Sequence, residues 1–325
     1  MSTPQISVLM PVYNAKPYLG EALASILAQT CADFEFVIVD DGSTDGSAEL
    51  VERCDDPRLV LLRNGRNLGI WATRNRCLEV ARGEYAALMD ADDRSAPDRF
   101  RVQLEYLTRH PELAAVGSWA QRIGPTGERL SVWRTVTGAR ELHETLLDRN
   151  EMAHGSAMVR TAAFRALGGY RPVLAEDYDL WLRLTDAGAA VDNLPECLYD
   201  YRVHPDSDTK QKTAQYEAAA FLLRASARCR RAGRSDPLAG LDYERFRGLM
   251  QAVQAGRGGW GRERRAAEDW ARAAELWDEG DHWGALGKMA RVLGRRPGYP
   301  PLWARLRQTL GRRLRLASEA SEGGS

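Results

Sequence analysis

A chain of 325 residues with 44% hydrophobic content is long enough for one large domain and a smaller one. Its 45 basic and 45 acidic side chains cancel, so bulk charge gives no reason to expect nucleic acid as a partner. The five scattered cysteines, with no C-x-x-C spacing, argue against a disulfide framework and against a cysteine zinc site, and a reducing cytoplasm fits them best.

The N-terminus carries neither a basic stretch nor a long apolar core, so no signal peptide is expected. No window approaches the roughly 18 to 20 apolar residues of a membrane span. A soluble or peripherally attached chain is the expectation.

Ile6 to Met10 reads as a first strand, stopped by the turn Pro11-Val12-Tyr13-Asn14. Leu19, Leu23, Ile26 and Leu27 then recur at helical spacing over Tyr18 to Gln29. Phe34 to Val39 is a second strand, and the polar run Asp40-Asp41-Gly42-Ser43-Thr44-Asp45 after it can cap a helix that buries Leu50 and Val51. Leu59 to Leu62, a glycine-punctuated loop to Gly69, and a helix from Ile70 to Ala81 complete a third repeat. Gly83 stops that helix, and Tyr85 to Met89 is a short apolar run of the kind that forms a buried strand. Strands alternating with helices of about a dozen residues predict a parallel sheet with right-handed crossovers.

Pro97 opens the next helix, with Ser95 as its expected cap and Phe100, Leu104 and Leu107 as its apolar stripe. Ala114 to Trp119 and Leu130 to Trp133 read as strands around the turn Gly124 to Gly127, and Ala153 to Val159 as another. This middle stretch breaks the alternation, which predicts a mixed sheet. Ala175 to Leu184 is an amphipathic helix led by acids, and Ala189 to Leu194 with Leu198 to Arg202 close the sheet. Beyond about Lys210 the pattern is wholly helical and rich in arginine. The expected organisation is a catalytic domain over 1–208, a helical region over 209–317 that includes a hairpin candidate at 266–293, and a disordered tail over 318–325. The segment 302–316 is basic and amphipathic, a pattern that suits peripheral contact with an anionic membrane surface.

Three carboxylates follow the fourth strand, in Asp90-Ala91-Asp92-Asp93. In open α/β sheets ligands bind at the carboxyl ends of the strands, and carboxylate oxygens suit Mg²⁺ or Mn²⁺ carrying a phosphorylated substrate. The loops at Asn14, Asp40 and Asp90 therefore converge on one sheet edge as a metal-diphosphate site. The first strand-helix turn has no G-x-G-x-x-G, which disfavours a dinucleotide dehydrogenase, and no G-x-x-x-x-G-K-[ST] is present.

Four motifs in order, Pro11-Val12-Tyr13-Asn14, Val39-Asp40-Asp41-Gly42-Ser43-Thr44-Asp45, Asp90-Ala91-Asp92-Asp93 with Pro97-Asp98-Arg99, and Glu176-Asp177 before Trp181, resemble the family 2 glycosyltransferases of the GT-A fold. The resemblance covers roughly residues 5 to 208. It implies a Rossmann-like mixed sheet flanked by helices and an inverting transfer from a nucleotide sugar, a UDP-sugar above all, to a carbohydrate or lipid-linked acceptor, as in cell-surface polysaccharide synthesis. Carried over by motif, Pro11 to Asn14, Asp40, Asp41, Arg74, Asn75, Asp90 and Ala91 belong to the donor nucleotide, Asp92 to a divalent metal (Mn²⁺ or Mg²⁺), and Asp177 to the catalytic base. His204 is a further metal-side candidate, and His154, Glu176 and Trp181 are candidates for the sugar or acceptor side. Trp71 is bulkier than the small residue the resemblance implies there. The rival readings are a sugar-1-phosphate nucleotidyltransferase, for which Pro11 to Tyr18 offers only Lys16 in place of a basic glycine-rich loop, and a non-catalytic nucleotide-sugar-binding module. Location at the inner face of the membrane is the accompanying expectation.

Overall fold

The computed structural model describes residues 3–205 and 207–255. Met1–Gly248 form one compact unit and Leu249–Ser325 a second, and every strand of the sheet belongs to the first. The hairpin candidate at 266–293, the basic segment 302–316 and the tail 318–325 lie outside the described residues. No helix among the described residues is long and apolar enough to cross a membrane.

Strands β1 (Ile6–Val12) and β2 (Phe34–Asp40) are apolar runs in which every residue is buried, the signature of strands covered on both faces. They are parallel to each other, and β3 (Leu59–Arg63) and β4 (Tyr85–Leu88) extend the parallel set on either side. The connecting helices α1 (Lys16–Leu27), α2 (Ser47–Glu52) and α3 (Ile70–Val80) supply the crossovers the alternation predicts. Beyond β4 the sheet turns mixed. It continues through the antiparallel β8 (Met158–Arg160) to β6 (Leu113–Ile123), the parallel β9 (Ala190–Arg202) and the two-residue β5 (Arg94–Ser95), while β7 (Arg129–Trp133) forms a hairpin with β6. Helices α4 (Arg99–Arg109), α5 (Ala139–Thr145), α6 (Thr161–Ala166), α7 (Glu176–Asp186), α8 (Asp208–Gln211), α9 (Thr213–Arg231) and α10 (Tyr243–Gln254) complete the described chain.

Several expectations are corrected. Ala153 to Val159 is not one strand: His154–Ser156 form a 3₁₀ turn, closed by Ser156 Oγ donating to the Ala153 carbonyl at 2.8 Å. Gly155 lies so close to the Tyr199 hydroxyl that any Cβ would collide with it, so the backbone is pressed out of the strand path there. The two closing strands are a single one, β9, whose pairing with β6 slips register between Ser118 and Ala120 and so absorbs Pro195 and Glu196. Ser95 caps no helix; it pairs with Tyr199 in β5, and the cap position of α4 falls on Asp98.

The compact unit also runs 40 residues past the boundary expected at 208, to Gly248. Helix α9 buries Ala218, Ala219, Leu222, Leu223, Ser226 and Ala227. At its C-terminal end Arg230 and Arg231 both grip Asp186 at the end of α7, at 2.6 and 2.5 Å. Asp236 then accepts from Ser226 at 2.5 Å and from Arg171 and Arg230 at 2.9 Å. Although burial works against its charge, these donors hold its carboxyl down at about 2. Helix α9 is thereby fixed to the sheet domain.

Gly83 marks the tightest passage in the parallel half. A Cβ there would lie 2.5 Å from the Ser7 amide nitrogen and 2.6 Å from the Ile6 carbonyl carbon. The Gly83 N–H donates to Ser7 Oγ at 2.8 Å, and that hydroxyl donates to Glu35 at 2.6 Å. Gly83→Ala must therefore push α3 away from β1, and a loss of about 1–3 kcal/mol in chemical denaturation is expected.

Candidate functional site

A cavity of about 1100 Å³ opens at the carboxyl edge of the parallel strands. Its walls include Pro11 to Asn14 at the end of β1, Asp41 after β2, Thr73 and Arg74 from α3, and Asp90 to Asp93 after β4. His154, Glu176, Asp177 and His204 join them from the mixed half of the chain. Parallel strands all end on one side, which is why loops separated by dozens of residues meet here.

The two acids that follow one another at the end of β2 divide by depth. Asp41 reaches the cavity, where its carboxylate accepts Asn64 Nδ2 at 2.6 Å, the Leu68 N–H at 2.9 Å and the Gly69 N–H at 3.0 Å. It thereby braces the glycine loop that leads into α3. Asp40 is placed behind it, away from the cavity: Oδ2 accepts the Gly42 and Ser43 N–H groups at 3.2 Å, and Oδ1 is enclosed without a partner. Asn14 has φ of +48°, and its carboxamide oxygen accepts the Thr44 N–H at 2.9 Å, tying the two turns together.

At the centre stands Arg74. One arm of its guanidinium donates to Asp90 at 2.8 Å and the other pairs closely with Glu176. Burial opposes its charge, yet the two carboxylates outweigh that and hold its pKa above the usual guanidinium range. Asp90 is half-buried, which works against its charge, but Arg74 and then His154 keep it well below the ordinary carboxylate range. Glu176 fares differently. Enclosed and adjacent to Asp177, it is pushed up to about 7 in spite of Arg74. One cation does not offset the enclosure of two carboxylates equally.

His154 donates or accepts at Tyr170 Oη through Nε2 at 2.7 Å, and its Nδ1 lies 3.6 Å from Asp90. Burial and the nearby Arg74 lower its pKa, so the ring is neutral at pH 7. Behind this group Arg99 is fully buried and donates to the carbonyls of Leu88 and Ala157 at 2.9 and 3.0 Å. It pins the end of β4, and burial lowers its pKa to about 10.

The Asp90-Ala91-Asp92-Asp93 turn is held from β9. Arg202 donates through Nε to the Asp92 carbonyl at 2.6 Å, and its backbone N–H donates to Asp93 Oδ1 at 2.6 Å. Asp93 is buried with its pKa driven well above the normal range by enclosure and by Asp92 and Asp90. Its carboxyl joins the turn after β4 to β9. Asp92 instead points into the cavity, with Oδ2 3.0 Å from His204 Nε2. The His204 ring rests on Tyr18 with centroids 4.8 Å apart.

Among the described residues no group of three or more His, Cys, Asp or Glu side chains is placed to hold a metal. The chemistry of the donor pair nevertheless fits Mg²⁺ or Mn²⁺. One carboxylate oxygen and one imidazole nitrogen, 3.0 Å apart, make an edge of a coordination sphere whose other positions such ions give to phosphates and water.

Asp177 follows Glu176 at the start of α7 and accepts Asn150 Nδ2 at 3.0 Å. The residue before the pair, Ala175, has φ of +59° and ψ of +47°, a left-handed conformation that costs an alanine about 1 kcal/mol. That conformation lets the chain enter α7 with both acids at the cavity. Two sequence candidates besides Asp40 are placed elsewhere. Trp181, one turn further along α7, is wholly enclosed and does not line the cavity. Asn75 is rotated about 100° around α3 from Arg74, and clasps the backbone of Tyr170, donating to its carbonyl and accepting its N–H at 2.8 Å each.

Sequence reading missed the wall made by α9. Thr213, Tyr216, Glu217, Ala220 and Arg224 line the cavity at intervals of three and four, beside the buried stripe. That second stripe is legible in the residues, but no motif marks it. Trp133, Arg149, Asn150 and Tyr201 are further cavity residues without a sequence signal.

Residues 7–168 match the family model described as glycosyl transferase family 2. The chain is 35% identical over 243 residues to a Bacillus subtilis chain bearing the name glycosyltransferase EpsE, covering 71% of this chain and 84% of that one. It is 30% identical to the O-antigen biosynthesis glycosyltransferase WbnJ of Escherichia coli, over 67% of this chain and 87% of that one. To the amylovoran biosynthesis glycosyltransferase AmsE of Erwinia amylovora it is 32% identical, over 65% and 80%. In fold it resembles the mannosyltransferase PcManGT of Pyrobaculum calidifontis, solved with GDP-Man and Mn²⁺, at TM-score 0.57 and 21% identity over 97% of this chain and 81% of that one. It resembles residues 1–349 of S. aureus TarS, solved with UDP-GlcNAc, at TM-score 0.57 and 17% identity over 91% and 93%. The mixed sheet is the GT-A arrangement.

The raised Glu176 has a thermodynamic consequence. Between its unfolded value of 4.5 and about 7 the folded protein binds the extra proton, so stability is greatest below 4.5 and falls as pH rises through 7. This contribution is on the order of 3 kcal/mol. Glu176→Gln is expected to flatten that part of the stability-against-pH curve measured by denaturation.

Proposed function

Because the chain belongs to glycosyl transferase family 2, and is a glycosyltransferase, we propose that it moves a sugar with inversion from a nucleoside diphosphate sugar, UDP-linked, to a carbohydrate or lipid-linked acceptor. The observation that carries this reading is the pairing, in one cavity, of a carboxylate–imidazole edge at Asp92 and His204 with a separate carboxylate at Asp177. The polysaccharide names of the relatives support an acceptor in cell-surface polysaccharide synthesis, which would place the protein at the inner face of the membrane.

In this reading Asp41 and the Pro11 to Asn14 turn receive the nucleoside. Asp92 and His204 would hold a divalent cation, Mn²⁺ or Mg²⁺, which when bound neutralises charge on the diphosphate leaving group. Asp177 takes the proton from the acceptor hydroxyl as that oxygen attacks the anomeric carbon. Asn150 orients its carboxylate through the 3.0 Å hydrogen bond. General-base assistance of this kind is worth about 10² to 10⁴ in rate. Arg74 touches no reacting atom in the scheme; it keeps Asp90 ionised and Glu176 in place, and so fixes both walls of the site.

Release of nucleoside diphosphate across a panel of nucleotide sugars, with Mn²⁺ or Mg²⁺ and an acceptor extract, tests the reading. Asp177→Asn is expected to lower transfer by about 10² or more at unchanged thermal stability, and Asp92→Ala to abolish the metal dependence. Pyrophosphate release from a nucleoside triphosphate and a sugar phosphate would sink the proposal in favour of nucleotidyl transfer.

A further inference from the structure

Three arginines line the cavity, and two of them are neutralised by carboxylates within the protein. Arg74 is shared by Asp90 and Glu176, and Arg149 pairs with Glu151. Further along α9, Arg228 lies 3.7 Å from Asp148, while Arg230 and Arg231 grip Asp186. Arg224 is the exception. Half-buried at the cavity wall, it lies near the hydroxyl of Tyr178, and among the described residues it forms no ion pair with a carboxylate. That hydroxyl itself donates to the Leu146 carbonyl at 2.6 Å, so it offers the guanidinium an acceptor but no charge.

We propose that α9 is the acceptor-recognition wall of the cavity and that Arg224 binds an anionic group, a phosphate or a carboxylate, carried by the acceptor. The proposal rests on the glycosyltransferase reading and names the class of its second substrate. Geometry places the cation at the appropriate end. The cavity face of α9 runs from Thr213, just past His204, to Arg224, which is about 16 Å along the helix at 1.5 Å per residue. The first end follows His204 by nine residues in the chain and lines the same cavity as the Asp92–His204 pair, and the second lies near Tyr178, the residue after the proposed base Asp177. A donor diphosphate served at the first end leaves Arg224 to the other substrate.

Size and surface agree. A volume of about 1100 Å³ exceeds the roughly 300–1,000 Å³ of a pocket for one small ligand, so the cavity admits donor and acceptor together. Trp133 and Tyr201, packed edge to face with centroids 5.7 Å apart, line it with Tyr216, and such faces suit the apolar side of a sugar ring. The planar guanidinium of Arg224, lining the same cavity, offers two parallel donors to a phosphate or carboxylate.

The test uses the full chain and three probes: neutral octyl glucoside, octyl glucuronide for a carboxylate, and a prenyl-diphosphate-linked N-acetylglucosamine for a phosphate. Binding is followed by calorimetry. At least one anionic probe is expected to bind, and Arg224→Gln to weaken it by about 10- to 100-fold, as loss of a charged hydrogen bond does, with the neutral probe changed less than about threefold. The probe that responds identifies the anion. Arg224→Lys should recover most of the binding, and Glu217→Gln, which removes the one carboxylate on the same stripe of α9, should tighten it. Equal weakening of the neutral probe, equal weakening of UDP with Mn²⁺, or failure of every anionic probe to bind would overturn the proposal. Arg224-dependent anion binding in a protein that releases no nucleoside diphosphate from any nucleotide sugar would leave this site standing and remove the transferase reading.

Discussion

The site depends on how one buried guanidinium is shared. Asp90, Glu176 and Asp177 converge from two distant parts of the chain into a partly enclosed space, where like charges repel strongly and each loses its water. Arg74 answers this by bonding Asp90 with one arm and Glu176 with the other. The allocation is unequal: Asp90 stays ionised, while Glu176 holds its proton up to about neutral pH. What remains is a cavity with two further acids, Asp92 and Asp177, on separate walls, and a fixed frame between them.

That frame is rigid because its supports are buried. Arg99 fastens the end of β4, Arg202 fastens the turn that carries Asp92, and Asp93 accepts the Arg202 backbone N–H. Each is a polar side chain with several partners in a dry setting, an arrangement that is costly to disturb and therefore holds one geometry. Left-handed backbone at Asn14 and Ala175 places strain on the cavity rim, where the chain must turn abruptly from strand or loop into helix. In the proposed reaction proton removal and leaving-group stabilisation fall at opposite faces of the sugar, and such fixed separation of the Asp92 and Asp177 walls would serve it.

Helix α9 extends this logic beyond the segment that matches the family model, which stops at residue 168. It is joined to α7 by Asp186 and to Arg171 through Asp236, so the helix that completes the cavity is locked to the helix that carries Asp177.

The chain's own residues determined much of this fold. Apolar runs of five to seven, separated by helices of a dozen, dictate a parallel sheet, and a parallel sheet obliges Asn14, Asp41 and Asp92 to meet at one edge. Four short motifs were enough to carry the family resemblance. Which acids face the cavity was decided only in three dimensions. Asp40 and Asp41 are adjacent and alike in sequence, yet alternation along an extended backbone sends one inward and one to the cavity. Trp181 reads as a site aromatic but is core, because burial depends on what packs against α7 and not on the motif beside it. The pairing of Arg74 with Glu176, 102 residues apart, and the closure of the cavity by α9 arise from contacts that no local pattern encodes. Local spacing sets elements and their order; charge sharing and enclosure are properties of the packed whole.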